Sequence, residues 1–301
     1  MAILTLDHVS KKFGSHTILD DLSLTVPQGS VFGFIGRNGA GKTTTMKLIL
    51  GLMSADQGQI FVKGERVSYG QTQTNRYIGY LPDVPAFYPF MNGEEYLRFL
   101  GQIAGMSVSE AKKRSQELLD LVGLAQDKQR IKGYSRGMKQ RLGIAQALMG
   151  RPQLLICDEP TSALDPLGRR DILAILSNIR QETTVLFSTH ILSDVEKVCS
   201  HVALLNQGQI ALAGPLEALT RQVGGPSYQV ELEKPEDRLS FQAAFPKSQI
   251  DQAGKLRFSS QDYPLKVVLA WLADQDLALR QVERVETSLD DLFQEVVRWR
   301  H

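Results

Sequence analysis

Residues 31–43 read Val31-Phe32-Gly33-Phe34-Ile35-Gly36-Arg37-Asn38-Gly39-Ala40-Gly41-Lys42-Thr43. The first five show no apolar–polar alternation, the pattern of a strand covered on both faces. The next eight match GxxxxGK[ST], and a helical stretch over Lys42–Gly51 follows them. Strand, glycine-rich loop and helix in that order form the context in which this pattern holds phosphate. The glycines let backbone N–H groups curl around a β-phosphate, and the helix N-terminus adds partial positive charge. Lys42 would reach the β- and γ-phosphates, and the Thr43 hydroxyl would bind Mg²⁺. The stretch predicts nucleotide binding.

Outward from this loop, β-branched runs alternate with helical patterns, which is the mark of α/β layering. Strands are expected at Ile3–Val9, Leu22–Val26, Val31–Ile35, Ile60–Val62, Ile78–Leu81, Leu154–Cys157, Thr184–Phe187 and Val202–Asn206. Helices are expected over Glu94–Ala104, Ser109–Val122, Met138–Met149, Leu167–Arg180 and Ser193–Ser200. Gly224-Gly225-Pro226 breaks this rhythm. Beyond it come a strand at Tyr228–Leu232, a helix over Pro235–Ala244 and extended segments at Ser248–Asp251 and Leu256–Phe258. A helix over Pro264–Ala273, a strand at Leu277–Val285 and a closing helix over Ser288–Arg300 complete it. That order, βαββαβ plus a helix, would be a ferredoxin-like arrangement.

The apolar run Leu154-Leu155-Ile156-Cys157 ends in Asp158-Glu159. Adjacent carboxylates at the end of a buried strand are costly unless a cation or a reaction uses them. Asp158 suits Mg²⁺ and Glu159 suits polarising an attacking water. Alone, the pair reads equally well as the solvated end of a strand. A phosphate loop with an acidic pair still admits kinases, GTPases and many ATPases.

Three further segments narrow the choice. Tyr134-Ser135-Arg136-Gly137-Met138-Lys139-Gln140-Arg141 precedes the acidic strand, Ser162-Ala163-Leu164-Asp165 follows it, and Ser188-Thr189-His190 ends the next one. With these in order, residues 1–220 resemble the nucleotide-binding subunit of ATP-binding cassette (ABC) transporters. The resemblance implies a P-loop NTPase cassette with a mixed sheet core, an antiparallel β part and a helical subdomain at about residues 84–150. The cassette would span 1–223, with a small α+β accessory domain at 227–301.

By the same resemblance, Gly36, Asn38, Gly39, Ala40, Gly41, Lys42, Thr43 and Thr44 form the Walker A loop, and Asp158 and Glu159 form Walker B with Glu159 as general base. His190 matches the switch histidine that contacts the γ-phosphate, and Phe13 the aromatic that stacks on adenine. Asp165 matches the D-loop aspartate. Ser135 and Gly137 match the signature that touches nucleotide held by a second cassette, so two cassettes, as a homodimer, make the working unit. ATP and Mg²⁺ are the implied cofactors.

Two departures stand out. The signature reads Tyr-Ser-Arg-Gly-Met where Leu-Ser-Gly-Gly-Gln is common, which puts the contacts of Arg136 and Met138 in question. Asp83 stands where the family usually has Gln, and its carboxylate would ligate Mg²⁺ more strongly than an amide. An acid at this position and a C-terminal domain ending in Ser288–Phe293 resemble the exporter branch. Seven of the chain's 22 aromatic residues fall within residues 77–99. Most of these suit the core of the helical subdomain, but Phe87, Tyr88 and Phe90, beside Pro85 and Pro89, are the expected anchors for an integral membrane permease subunit.

Composition sets the remaining bounds. The 301 residues carry 34 Lys and Arg against 33 Asp and Glu. The segment from Ser227 carries 10 basic and 13 acidic residues, so neither part has the basic excess of a nucleic-acid binder. No apolar run approaches the ~18 residues of a membrane span. The N-terminus lacks a signal-peptide pattern. Cys157 and Cys199 are too few for a disulfide framework or a zinc site, and His8, His16, His201 and His301 lack metal-ligand spacing. The expected protein is a cytoplasmic ATPase, peripheral on the inner face of the cell membrane through its permease. The alternative is a soluble cassette ATPase that moves no solute, or an ATP-dependent regulatory module.

Overall fold

In the computed structural model, which describes residues 1–71, 73–222, 227–251, 253–275, 277–285 and 289, the chain divides into two compact units, Met1–Leu216 and Glu217–His301. In the first unit the strands are β1 (Ala2–Phe13), β2 (His16–Pro27), β3 (Val31–Gly36), β4 (Gln57–Val62), β5 (Glu65–Arg66), β6 (Ile78–Leu81), β7 (Leu154–Asp158), β8 (Thr184–Thr189), β9 (His201–Asn206) and β10 (Gln209–Pro215). Its helices are α1 (Lys42–Ile49), α2 (Gly93–Ile103), α3 (Val108–Leu121), α4 (Arg136–Ala147), α5 (Pro166–Ile179) and α6 (Leu192–Val198). Helix α7 (Leu216–Gln222) runs across the division.

Two sheets build the unit. Strands β2-β1-β4-β5 form an antiparallel sheet, and β10-β9-β3-β8-β7-β6 form a mixed one. In the mixed sheet β6, β7, β8, β3 and β9 run parallel, and β10 alone is antiparallel, at the edge. Every residue of β3, β7 and β8 is buried, which explains their unalternating apolar runs Val31–Ile35, Leu154–Cys157 and Val185–Phe187. One core is shared by Leu4, Leu6 and Ile60 of the antiparallel sheet, Met46 and Ile49 of α1, and Phe32 and Ile156 of the mixed sheet. On β3, a side chain at Gly33 would meet Val195 of α6 at 2.9 Å, so glycine is what lets that helix lie against the strand.

The register matters most for function. Asp158 of β7 lies beside Ser188 of β8, and Ile35 of β3 beside Thr189. Parallel strands present their carboxyl ends on one edge, so Gly36, Asp158 and Thr189 end level there.

Helices α2, α3 and α4 carry the residues between β6 and β7. Asn92 with Glu95 and Ser107 with Glu110 form reciprocal capping boxes at the starts of α2 and α3. Helix α4 packs closely on β6. A β-carbon at Gly79 would collide with the Ala147 carbonyl oxygen, and one at Gly143 would sit 2.5 Å from Leu81.

The second unit has β11 (Ser227–Leu232), α8 (Pro235–Ala244), β12 (Gln249–Ile250), β13 (Leu256–Ser259), α9 (Leu265–Asp274) and β14 (Leu279–Val285). Its strands pair antiparallel in the order β12-β13-β11-β14, so β13 lies between the two strands that α8 connects. Val230, Leu256 and Phe258 of the sheet share a core with Phe241 of α8 and Val268 and Leu272 of α9. The closing helix expected over 288–300 lies, Leu289 apart, outside the described residues.

Two stability predictions follow from this packing. Gly79→Ala is expected to destabilise the chain by about 1–3 kcal/mol, because the obstruction is backbone and cannot rotate away. Arg169 Nη2 donates to Asp194 Oδ1 at 2.8 Å, and Asp194 is 1% exposed. Arg169→Met should therefore cost about 3–5 kcal/mol by stranding a buried carboxylate, and adding Asp194→Asn should recover part of it. Urea unfolding followed by far-UV circular dichroism measures both; a wild-type midpoint for either single variant would contradict the packing described.

Candidate active site

The loop after β3 is shaped by its glycines. Gly41 has φ +110°, a conformation that side chains resist, and a β-carbon there would meet Leu19 at 2.7 Å. Gly36 is as confined, with the Leu205 carbonyl oxygen 2.8 Å from where its β-carbon would be. Helix α1 begins with no side-chain cap, so its first N–H groups face the loop unclaimed by a capping side chain. Their partial positive charge suits an anion.

Lys42 is 6% exposed and its ammonium is fully engaged. Nζ donates to the Gly36 carbonyl at 2.7 Å and the Arg37 carbonyl at 3.3 Å, and pairs with Glu159 Oε1 at 3.1 Å. The other oxygen of that carboxylate, Oε2, lies 2.9 Å from His190 Nδ1. The structure thus joins Lys42, Glu159 and His190 in one chain of contacts, with the His190 side chain 46% exposed and Glu159 only 13%.

Glu159 takes an unusual backbone conformation. Its φ is +50°, in the left-handed region that costs a non-glycine residue about 1–2 kcal/mol. Its N–H donates towards the Ser188 carbonyl at 3.2 Å and the Ser188 hydroxyl at 3.0 Å. Those bonds hold the turn that aims the carboxylate at Lys42. Non-glycine strain of this kind gathers at sites that use it.

Asp158, 3% exposed, receives two hydroxyl groups: Ser188 Oγ on Oδ1 at 2.7 Å and Thr43 Oγ1 on Oδ2 at 2.8 Å. Thr43 and Asp158 fit a Mg²⁺ site. Both offer hard oxygens, and 2.8 Å is close to the spacing of about 2.9 Å between neighbouring ligands of an octahedral ion bound at 2.0–2.1 Å. Mg²⁺ takes few protein ligands and fills the rest with water and phosphate. Nearby, the Tyr80 phenol is pushed up to about 12, by burial first and then by the charges of Asp158, Cys157 and Asp83, so it stays a neutral hydroxyl. Burial raises both cysteine thiols, which leaves Cys157 and Cys199 unreactive.

Ser188 is the residue that motif reading quoted without a role. It is wholly buried and braces both carboxylate residues at once. The only signal in the sequence is a small hydroxyl ending an apolar strand.

The remaining expected site residues lie elsewhere. Phe13 ends β1 with its ring 49% exposed and Lys11 Nζ 5.6 Å above it, an open face suited to a flat ring. Ser135 and Asp165 serve as N-caps, accepting from the Met138 and Gly168 N–H groups. Among the described residues, Ser135, Gly137 and Asp165 make no hydrogen bond or ion pair to the phosphate loop. Asp83 pairs with Arg136 Nη2 at 3.6 Å, while its carbonyl accepts from Gln140 Nε2 at 2.7 Å. Of the three expected anchors, Tyr88 and Phe90 are 48% and 63% exposed, whereas Phe87 is half-buried edge-on to Tyr96.

The family model described as ABC transporter matches residues 19–162. The ABC transporter ATP-binding protein YxlF of Bacillus subtilis (strain 168) is 41% identical over 221 residues, which cover 73% of each chain. The bacitracin transport ATP-binding protein BcrA of Bacillus licheniformis is 38% identical over 73% of this chain and 72% of its own. The solved structure of an ATP-binding subunit of an ABC transporter superposes with a TM-score of 0.65 at 33% identity, over 73% of this chain and 92% of the other. The chain belongs to the ABC transporter family as one of its ATP-binding ATPase subunits.

Proposed function

We propose that this chain is the ATP-hydrolysing motor of a two-component ABC exporter, with cassette residues 1–223 driving a separate membrane permease and residues 227–301 forming an accessory domain. The observation that carries the reading is the Lys42–Glu159–His190 cluster beside the Thr43–Asp158 pair, all gathered where β3, β7 and β8 end.

In this reading the Walker A loop, Gly36 to Thr44, wraps the nucleotide phosphates, and Phe13 stacks on the adenine. Lys42 exchanges Glu159 for phosphate oxygens, a stronger charge-assisted partner. Thr43 and Asp158 would hold Mg²⁺, with Asp83 as a further candidate, and the ion would supply charge neutralisation for the phosphates. Glu159 takes a proton from the attacking water as that oxygen bonds to the γ-phosphorus. The bond to the bridging oxygen breaks, and ADP leaves with its new charge beside Lys42. His190 orients Glu159 through Nδ1 and presents Nε2 to the γ-phosphate.

Ser135, Gly137 and Asp165 serve the nucleotide of a second copy, which agrees with their making no hydrogen bond or ion pair to the loop among the described residues. ATP joins two copies, and hydrolysis parts them. The exposed pair Tyr88 and Phe90 is the proposed seat for the permease, since solvent-facing aromatics anchor interfaces well. Among the described residues no helix is long and apolar enough to cross a membrane, so attachment to the inner face of the membrane would run through that partner. Outward transport is supported by the acid at Asp83, which resembles the exporter branch.

Glu159→Gln should reduce turnover by at least about 10³-fold while the protein still binds ATP and accumulates as a dimer, because water then has no base. Steady-state phosphate release and size-exclusion chromatography with ATP measure this; wild-type hydrolysis by the variant would contradict the assignment. Ser188→Ala leaves Asp158 Oδ1 without its donor, so it should lower stability by about 1–3 kcal/mol and weaken turnover. Thermal unfolding alongside phosphate release checks it, and an unchanged melting temperature would refute the bracing role.

A further inference from the structure

The end of β1 carries an ion pair that the mechanism above does not use. Strand β1 pairs with β4 only as far as Ser10, opposite Gln57. Beyond that point Asp56, the residue before β4, holds the strand on that side. Its N–H donates to the Ser10 carbonyl at 2.9 Å, its Oδ2 accepts from the Lys12 N–H at 2.6 Å, and its Oδ1 accepts from Lys11 Nζ at 2.8 Å. Lys11 is 9% exposed, so this ammonium is fixed where a surface lysine would be free to swing.

The fixed ammonium lies over the ring of Phe13, 5.6 Å from its centroid. That is inside the ~6 Å reach of a cation–π attraction. Phe13 is the last residue of β1, it is followed by the left-handed turn at Gly14, and half of it is exposed. Among the described residues no other ring packs on it. An exposed phenylalanine with no such contact exchanges between rotamers. A cation held on one face restrains that exchange and leaves the opposite face for a flat ligand.

We propose, resting on the reading above that Phe13 stacks on the base, that Lys11 is a positioning residue for the nucleotide: fixed by Asp56, it holds the Phe13 ring so that the base stacks on the face opposite the ammonium. A ring ordered before the ligand arrives need not be ordered on binding, which favours the complex. With a carboxylate already at 2.8 Å, Lys11 serves the ring and leaves the phosphates to the loop and Lys42. The ion pair with Asp56 is thus more than a brace for the strand, since through one ring it sets the affinity for nucleotide.

The test is the dissociation constant of ADP with Mg²⁺ for the full chain, measured by titration calorimetry, with thermal unfolding to confirm that each variant is folded. Phe13→Ala should weaken binding about fivefold to a hundredfold, the worth of one base–aromatic stack. Lys11→Met, which keeps the length of the side chain without its charge, should weaken it about two- to fivefold. Lys11→Gln takes its place if the methionine variant unfolds. Lys11→Arg, which keeps a cation for the ring, should recover most of that loss. In a Phe13→Ala background Lys11→Met should cost nothing further. Native affinity in Lys11→Met, an equal loss in both backgrounds, or an arginine variant no better than methionine would overturn the proposal while leaving the role of Phe13 intact. If Phe13→Ala binds ADP as the native chain does, the base-stacking reading itself fails and takes this one with it.

Discussion

Asp158 ends a strand in which every residue is buried, and its own carboxylate is 3% exposed. A buried charge without partners is among the costliest features a fold can carry. Its partners come from two other elements, Thr43 from the phosphate loop and Ser188 from β8. They arrive only if β3, β8 and β7 lie side by side, run parallel and end level. The order of the mixed sheet and its register meet those conditions. One carboxylate thus ties the phosphate loop to the sheet and fixes the floor on which Glu159 and His190 stand.

Around that floor the polar contacts divide by burial. Asp158 with Ser188 and Arg169 with Asp194 each include a group with under one-tenth of its surface exposed. Such contacts resist rearrangement because breaking them strands a charge out of water. The contact of His190 with Glu159 reaches solvent on its histidine side, and the Arg136–Asp83 pair joins two side chains that are each about half exposed. A motor needs both kinds. In the function proposed above, the buried set would hold the sheet edge in place while the more exposed set changes partners as nucleotide and a second copy arrive.

The cassette was legible because its chemistry is written in contiguous residues. Gly36–Thr43 and Asp158-Glu159 each close an apolar run whose lack of alternation marks a buried strand, so motif and position are read together. Strand β10 was missed because Ile210, Leu212 and two alanines read as weak alternation after the Gln207-Gly208 turn, and only pairing with β9 makes the segment a strand. Ser188 was quoted without a role because its partners are 29 and 30 residues away and are set by register, which no local pattern encodes. The left-handed backbone at Glu159 was equally hidden, since glutamate gives no sign of it. Among the three aromatics, hydrophobicity could not separate the half-buried Phe87 from the more exposed Tyr88 and Phe90, although Tyr88 also packs edge-on to Tyr96 and Phe99.

The account turns on a catalytic site shared between two copies of the chain. Its most direct test is the specific ATPase activity of the purified full chain measured across a wide range of chain concentration, with molecular mass followed in parallel. Shared sites predict activity per chain that rises with concentration and levels off as dimer forms. Constant activity per chain, from a protein that remains monomeric throughout, would contradict it.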